Sequence, residues 1–193
     1  MEQPMTPEAS LRLIDEMLQQ AKRSFSRMSF YFLLWGALLL VATLTEYAMN
    51  RAGLPNGWLG WPILGTLGGI ISGVHGSREG RKAGASTFTD RVFMWVWMAF
   101  TFTLIIVIIS CVQVGQRPGP WVSILTAMPT LISGGILRFR PLILGGVLFW
   151  VFGLLALFQW PEHGALLFAL ALLLGYIVPG FLLKRQEDGL RTA

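Results

Sequence analysis

The feature that most constrains this chain is a set of six apolar stretches, each close to the length of a membrane-crossing helix. They are Tyr31–Met49, Gly57–His75, Val92–Val114, Trp121–Leu137, Leu142–Trp160 and Ala165–Leu183. A helix needs about 20 mostly apolar residues to cross the hydrocarbon core, and no charge lies near the middle of any stretch. Unbroken apolar runs such as Leu104–Ile109 lack the alternation of a barrel strand. The sequence therefore predicts an all-α, polytopic membrane protein with six transmembrane helices.

The composition agrees with this prediction. Only 13% of the 193 residues are charged, against about a quarter in an average soluble domain. This balance excludes a soluble enzyme, a disordered tail and a disulfide scaffold. The net charge of +5 indicates membrane topology rather than nucleic-acid binding, and we expect no nucleic-acid partner.

The basic residues are distributed very unevenly between alternate connections. Thirteen of the 15 fall in the N-terminal segment, the second loop, the fourth loop and the tail, whereas the other side has only Arg51 and Arg117. By the positive-inside rule both termini lie in the cytoplasm. We expect a bacterial-type cytoplasmic (inner) membrane, with anionic lipid as a partner of the basic face.

Residues 1–29 are predicted to form an amphipathic cytoplasmic helix, followed by the membrane domain at 30–183 and a cytoplasmic tail at 184–193. Thr6, Pro7 and Glu8 are typical of a helix start. An apolar stripe follows at spacings of three and four: Leu11, Ile14, Leu18, Ala21, Phe25 and Met28. The helix either lies on the membrane interface or docks a partner or a second copy.

The even-numbered stretches share a local pattern that suggests three helical hairpins. Ile71-Ser72-Gly73, Ile132-Ser133-Gly134 and Val178-Pro179-Gly180 each precede a basic boundary. This repetition predicts three out-and-back pairs related by an axis along the membrane normal.

Small residues predict where helices approach closely. Gly65, Gly69 and Gly73 recur every four residues in the second stretch, and Gly134 and Gly145 flank the tight turn after the fourth. These five glycines are the predicted helix-packing positions, and a homo-oligomer or a membrane-protein partner is one possible use of the first three.

Three further sets of residues are candidates for a site. An outer polar set comprises Glu46, Arg51, Arg117, Gln159, Glu162 and His163. A possible ligand cavity comprises Trp150, Thr126, Pro129, Thr130 and Thr103, since proline-kinked helices often line transport sites. A lipid-headgroup set comprises Arg78, Arg81, Lys82, Arg138, Arg140 and Lys184.

Motifs that carry chemistry are absent from the sequence. There is no phosphate-binding glycine loop, no Cys or His pair with metal spacing and no nucleophile elbow. The single cysteine, Cys111, has no partner within the chain. We therefore expect no catalytic residue, no metal and no cofactor.

The segments Gly68–Lys82 and Leu131–Gly146 resemble stretches of small uncharacterised six-span bacterial membrane proteins. The size and the three-hairpin pattern are also similar to the acid-resistance membrane protein HdeD. Gly36-Ala37 resembles the small-residue coupling motif in the first span of the vitamin-binding components of energy-coupling transporters. The first of these resemblances implies no activity.

Two functional hypotheses follow from the sequence. The first is a non-enzymatic accessory, scaffold or regulatory component that acts through helix packing and its N-terminal helix. The alternative is a binding or transport protein for a small neutral or weakly polar solute. An embedded enzyme ranks third, because it requires Glu46 and His163 to converge.

Overall fold

The structure is a computed structural model that describes residues 7–83 and 88–192. Side chains are described from residue 28 onward, apart from 79, 82–89, 187 and 190–192. The regular elements among the described residues are all helical. They are α1 (Pro7–Arg51), a short 3-10 turn (Gly57–Leu59), α2 (Gly60–Ala83), α3 (Phe88–Gln113), α4 (Gly119–Ile136), α5 (Arg140–Phe158), a second 3-10 turn (Pro161–His163), α6 (Gly164–Leu172), a π segment (Leu173–Ile177) and α7 (Val178–Thr192). The predicted all-α fold is confirmed for this part of the chain.

Helix α1 is one unbroken helix of 45 residues. It starts at Pro7, whose fixed φ suits the first helical position, and it carries no internal proline. Its membrane-length apolar part is Met28–Arg51. The backbone is therefore continuous across the boundary predicted at residue 29. The apolar stripe predicted before Met28 lies outside the described side chains, so the position of this segment relative to the membrane stays a prediction.

Five helical segments are long and apolar enough to cross a membrane. They are Met28–Arg51, Gly57–Arg78, Asp90–Gln113, Arg140–Phe158 and Pro161–Gln186, the last of which joins α6, the π segment and α7. Five of the six predicted stretches are thus confirmed as helices long and apolar enough to span a membrane.

Helix α4 corresponds to the predicted fourth span. It is the one predicted span that is not apolar enough to count among these five segments. It is a helix of 18 residues, but half of them are Gly, Pro, Ser or Thr. These residues lower its mean hydropathy, and the structure explains their presence, because most of the inward face of α4 is made of small and hydroxylated side chains.

The core of the molecule lies between α1, α4, α5 and the last span. Phe149 and Tyr176 pack ring against ring at 5.0 Å, and Tyr176 continues to Phe32 at 5.5 Å. These rings belong to one buried cluster that also holds Leu142 and Leu172. The last span is the most enclosed, with 56% of its most apolar window buried.

Helices α2 and α3 lie at the edge of this bundle. Only 11% of the α2 window and 6% of the α3 window are buried. Helix α2 packs on α1, and α3 packs chiefly on α4. Phe93 near the start of α3 and Cys111 near its end are buried. Most of the outer half of α3 is exposed, including Ile106 and Val112, as expected of a surface in contact with lipid.

The tightest helix pair is α4 with α5, and glycines make it possible. A Cβ on Gly134 would lie 2.6 Å from the backbone nitrogen of Ile143, and one on Gly146 would lie 2.8 Å from that of Leu131. Helix α5 uses its other side against the π segment, where a Cβ on Gly145 would meet the Gly175 carbonyl oxygen at 2.7 Å. Small residues thus let α5 approach two neighbours at backbone distance.

The π segment precedes Pro179, which has no N–H and would clash with a carbonyl one turn earlier in a regular α-helix. The wider turn at Leu173–Ile177 accommodates this proline within a continuous span. Gly180 then packs against Leu33 of α1, and a Cβ on Gly180 would lie 3.0 Å from the Leu33 side chain.

The predicted hairpin partners α1–α2, α3–α4 and α5–α6 do contact each other. The tight α4–α5 pair, however, falls between two of the predicted hairpins. The internal repeat stays a prediction.

Candidate functional site

A stripe of buried hydroxyl groups runs along the inward face of α4. Its members are Ser123, Thr126, Thr130 and Ser133, spaced by three, four and three residues. This spacing places them on one side of a helix, and none of the four is more than 3% exposed. We name this set the hydroxyl stripe.

The four hydroxyl groups of the stripe differ in their hydrogen-bond partners. Ser123 donates to the Phe149 carbonyl oxygen of α5 at 2.8 Å, so it links two helices. Thr126 and Thr130 donate to backbone carbonyls one turn earlier in α4, both at 2.7 Å. The Ser133 hydroxyl is buried without a hydrogen-bond partner in the described part of the chain.

Two helix irregularities meet at the centre of the hydroxyl stripe. Pro129 interrupts the hydrogen bonding of α4, and the next residue, Thr130, lies with its hydroxyl 3.4 Å from the Tyr176 hydroxyl in the π segment. The two oxygens are therefore at the long limit of hydrogen bonding. Tyr176 is only 2% exposed, so this contact lies in the interior of the bundle.

The predicted ligand-cavity set is only partly brought together. Thr126, Pro129 and Thr130 are buried side by side in α4. Trp150 is 39% exposed on the outside of α5. Thr103 lies on the exposed side of α3 and donates to its own helix at the Ala99 carbonyl oxygen.

In the outer polar set, Glu46 binds a tryptophan. Its Oε2 accepts a hydrogen bond of 2.6 Å from the Trp61 indole nitrogen. Within the described residues no ion pair joins Glu46 to Arg51 or Arg117, which are both exposed.

The remaining outer residues lie on the surface. Gln159 is exposed, and His163 faces Glu162 at 3.8 Å with both side chains more than half exposed. His163 also borders an open groove of about 320 Å³ together with Trp160, Leu166 and Leu167. No group of three metal-binding side chains occurs among the residues the structure describes.

The three α2 glycines at four-residue spacing face open space. A Cβ on Gly65, Gly69 or Gly73 would have no other side chain or backbone within 4 Å. The α2 glycines that pack on α1 are instead Gly60, Gly68 and Gly76, and the closest approach is at Gly68, whose Cβ would lie 3.0 Å from Leu38 and 3.2 Å from Trp35.

Polar and aromatic contacts also hold α2 on α1. The Trp35 indole donates to the Ser72 hydroxyl at 3.2 Å. One turn further on, the His75 ring stacks on Phe30 with centroids 4.0 Å apart. Helix α2 is thus fastened along one face, and its glycine face, Gly65–Gly69–Gly73, is left without a neighbour in the described chain.

The predicted headgroup residues are exposed and share one end of the molecule. Gly145 of α5 approaches Gly175, Gly180 of α7 approaches Leu33 of α1, and Trp97 of α3 contacts the neighbouring Phe32. These approaches place the α4–α5 turn, the first half of α7 and the start of α3 toward one end of the molecule. The exposed basic residues at this basic end are Arg78, Arg81, Arg91, Arg138, Arg140, Lys184 and Arg185. Lys82 lies outside the described side chains.

Several structural residues have no counterpart among the predicted positions. Trp61 is the partner of Glu46, and Gly153 and Gly175 both lie at backbone distance from a neighbour. The spacing of Gly146 and Gly153 by seven residues is a signal for a helix seam that the sequence does contain. Nothing in the sequence identifies Gly175, because its role depends on the π segment.

Comparison of the chain with protein-family models, with curated proteins and with solved structures finds no match in any of the three. The resemblance to small six-span bacterial proteins and to HdeD therefore stays a prediction.

Proposed function

We propose that this protein is a non-enzymatic accessory, scaffold or regulatory component of a bacterial-type inner membrane, acting through helix packing. In this proposal α4 crosses the membrane as the sixth span, paired with α5, and both termini lie in the cytoplasm. The observation that carries the proposal is the unoccupied glycine face of α2.

The glycine face supports a packing role because of what the same chain does elsewhere. At Gly134, Gly145 and Gly146 a neighbouring backbone occupies the space that a side chain would fill. On α2 the same residue type repeats every four residues, but no helix of the described chain occupies the space. Glycine lowers helix propensity, and a close helix contact is the usual compensation in membranes.

The segment of α1 that precedes the membrane-length part supports the same function. Helix α1 begins at Pro7 and continues without a break into the membrane-length segment Met28–Arg51. In the proposed orientation this extension is cytoplasmic and presents a helical surface to a partner or to a second copy.

The test is the mass of the full chain in mild detergent, compared with the variant Gly69→Leu. We expect wild type to elute with a protein mass above that of the 21.4 kDa chain. Gly69→Leu should elute as the folded single chain, with a cooperative melting transition at or below the wild-type temperature, because association stabilises the folded state. Val74→Leu is the matched control, since Val74 is exposed on the other side of α2. A wild-type protein that elutes as a single chain overturns the proposal.

A second candidate function is the binding or transport of a small, weakly polar solute. The specific observation in its favour is that the Pro129 interruption and the π segment meet at Thr130 and Tyr176, since irregular helices often line transport sites. A ligand-dependent rise in melting temperature across a metabolite panel supports this function, and it should be lost in Tyr176→Phe. No response across the panel counts against it.

A further inference from the structure

The turn between α4 and α5 places an arginine where helices usually place glycine. Helix α4 ends with the Phe139 nitrogen bound to the Gly134 carbonyl and the Arg138 nitrogen bound to the Gly135 carbonyl, at 2.9 and 3.1 Å. This pattern requires a left-handed residue after the helix, for which glycine is preferred. Arg138 occupies that position with φ of +51°.

In this turn the apolar side chains face the core and the charged side chains face outward. Leu137 and Phe139 are 5% and 6% exposed and belong to the core cluster. Arg138 and Arg140, which alternate with them, are exposed. In the described part of the chain neither guanidinium has an ion-pair partner.

In a membrane that α5 spans, these two arginines would lie at the depth of the lipid headgroups. Arg140 is the first residue of α5, which is itself a membrane-length span. Because α5 approaches the π segment at Gly145 and Gly175 and also contacts α7, the turn lies at the same end of the molecule as the first half of α7. There Lys184 and Arg185 are exposed and add two further positive charges.

The side chains, rather than the start of α5, offer the hydrogen-bond donors. Pro141 has no N–H, and the backbone nitrogens of Leu142 and Ile143 both bind the Phe139 carbonyl oxygen, at 3.1 and 3.3 Å. The two guanidinium groups are fork-shaped donors that match the oxygens of a phosphate.

An exposed apolar strip continues from Arg140 along α5. Leu144, Val147 and Val151 follow at four, three and four residues and are 64%, 39% and 44% exposed. A charged site with an apolar strip beneath it has the two-part chemistry of a phospholipid: a phosphate above and acyl chains below. Free phosphate has no apolar group to place on the strip, so the strip favours a phospholipid.

We propose that Arg138 and Arg140 bind the phosphate of an anionic phospholipid, with Lys184 adding charge and the Leu144–Val151 strip receiving an acyl chain. The binding accounts for an arginine at a left-handed position that glycine would occupy with less strain. It is independent of the packing role proposed above, because it needs only α5 to span the membrane.

The test is the melting temperature of the full chain in a zwitterionic detergent, with and without added phosphatidylglycerol. We expect a rise of several degrees for wild type, and no comparable rise with phosphatidylcholine or with inorganic phosphate. A ligand that binds only the folded state stabilises it in this way. An equal rise with phosphatidylcholine or with inorganic phosphate overturns the proposal.

Variants separate the site from a general effect of charge. Arg138→Gly should melt at a higher temperature than wild type in detergent alone, because the strain is removed, yet lose most of the phosphatidylglycerol shift. Arg140→Gln should keep the wild-type melting temperature in detergent alone and also lose most of the shift. Arg51→Gln, at the opposite end, is the matched control and should keep it. A full shift in the Arg138→Gly, Arg140→Gln double variant overturns the proposal.

Discussion

The indole nitrogen of Trp61 donates a hydrogen bond of 2.6 Å to the Oε2 of Glu46 and so joins α2 to α1. Both side chains are half-buried. This contact lies near the end of α2 opposite His75, whose stacking on Phe30 joins the same two helices at the basic end. Helix α2, which has few other neighbours, is thus held on α1 at both ends.

We expect Trp61→Phe to lower stability, because it leaves the Glu46 carboxylate without its donor. A hydrogen bond to a charged group contributes about 1.5–3 kcal/mol, and partial exposure of the pair should bring the loss to the low end. Thermal unfolding in detergent measures this. Arg51→Ala is the control and should be nearly neutral, whereas an equal loss there would mean that the arginine is the true partner.

Gly134→Ala should destabilise the protein, whereas Gly135→Ala should not. The added methyl group at Gly134 would lie 2.6 Å from the Ile143 backbone nitrogen, but at Gly135 it would meet nothing within 4 Å. Overpacking of this kind costs about 1–3 kcal/mol. Melting temperatures of the two neighbouring variants give the comparison, and equal values would contradict the tight α4–α5 seam.

Ser123→Ala and Ser133→Ala test the two ends of the hydroxyl stripe. Ser123 donates to the Phe149 carbonyl oxygen at 2.8 Å, whereas Ser133 has no partner among the described residues. Hydrogen bonds between membrane helices contribute about 0.6–2 kcal/mol. We expect a loss of that size for Ser123→Ala and a neutral or stabilising effect for Ser133→Ala, measured by unfolding in detergent. A larger loss at Ser133 would show that its hydroxyl has a partner of its own.

Phe149→Ala should be strongly destabilising, and Trp150→Ala should have little effect. Phe149 is fully buried between Tyr176 and Phe168, whereas Trp150 is 39% exposed. Phe→Ala in a water-soluble core costs about 3–5 kcal/mol, and in a membrane the packing part of this cost remains. The unfolding midpoints of the two variants measure the difference in stability. A strong effect of Trp150→Ala would assign the indole an interior role after all.

Hydropathy predicted the helices well because the bilayer imposes one length and one composition on every spanning segment. The stretch Leu142–Trp160 and the observed α5, Arg140–Phe158, differ by two residues at each end. Hydropathy supports α4 less well, because this helix departs from the usual composition of a spanning segment. Its polar inward face lowers the average on which such a prediction depends.

Packing partners were harder to predict, because helical spacing shows which residues share a face but not what lies opposite. Gly134 and Gly69 were both predicted to be helix-packing positions, yet Gly134 meets a backbone and Gly69 meets nothing within the described chain. Glu46 was grouped with Arg51, Arg117 and His163 in the predicted outer polar set. Its partner is the indole of Trp61, which the fold brings to α1 and no sequence spacing reveals.

The continuity of α1 has a mechanical consequence. At about 1.5 Å per residue, the helical turns between Pro7 and Met28 form a rigid arm about as long as the span is thick, and the described backbone contains no hinge between arm and span. Any force that tilts or rotates the arm is transmitted to the span, and through Gly36 and Leu33 to the π segment and α7 packed on it. A movement of the residues before Met28 would thus reach the core through the α1 contacts of the π segment and α7.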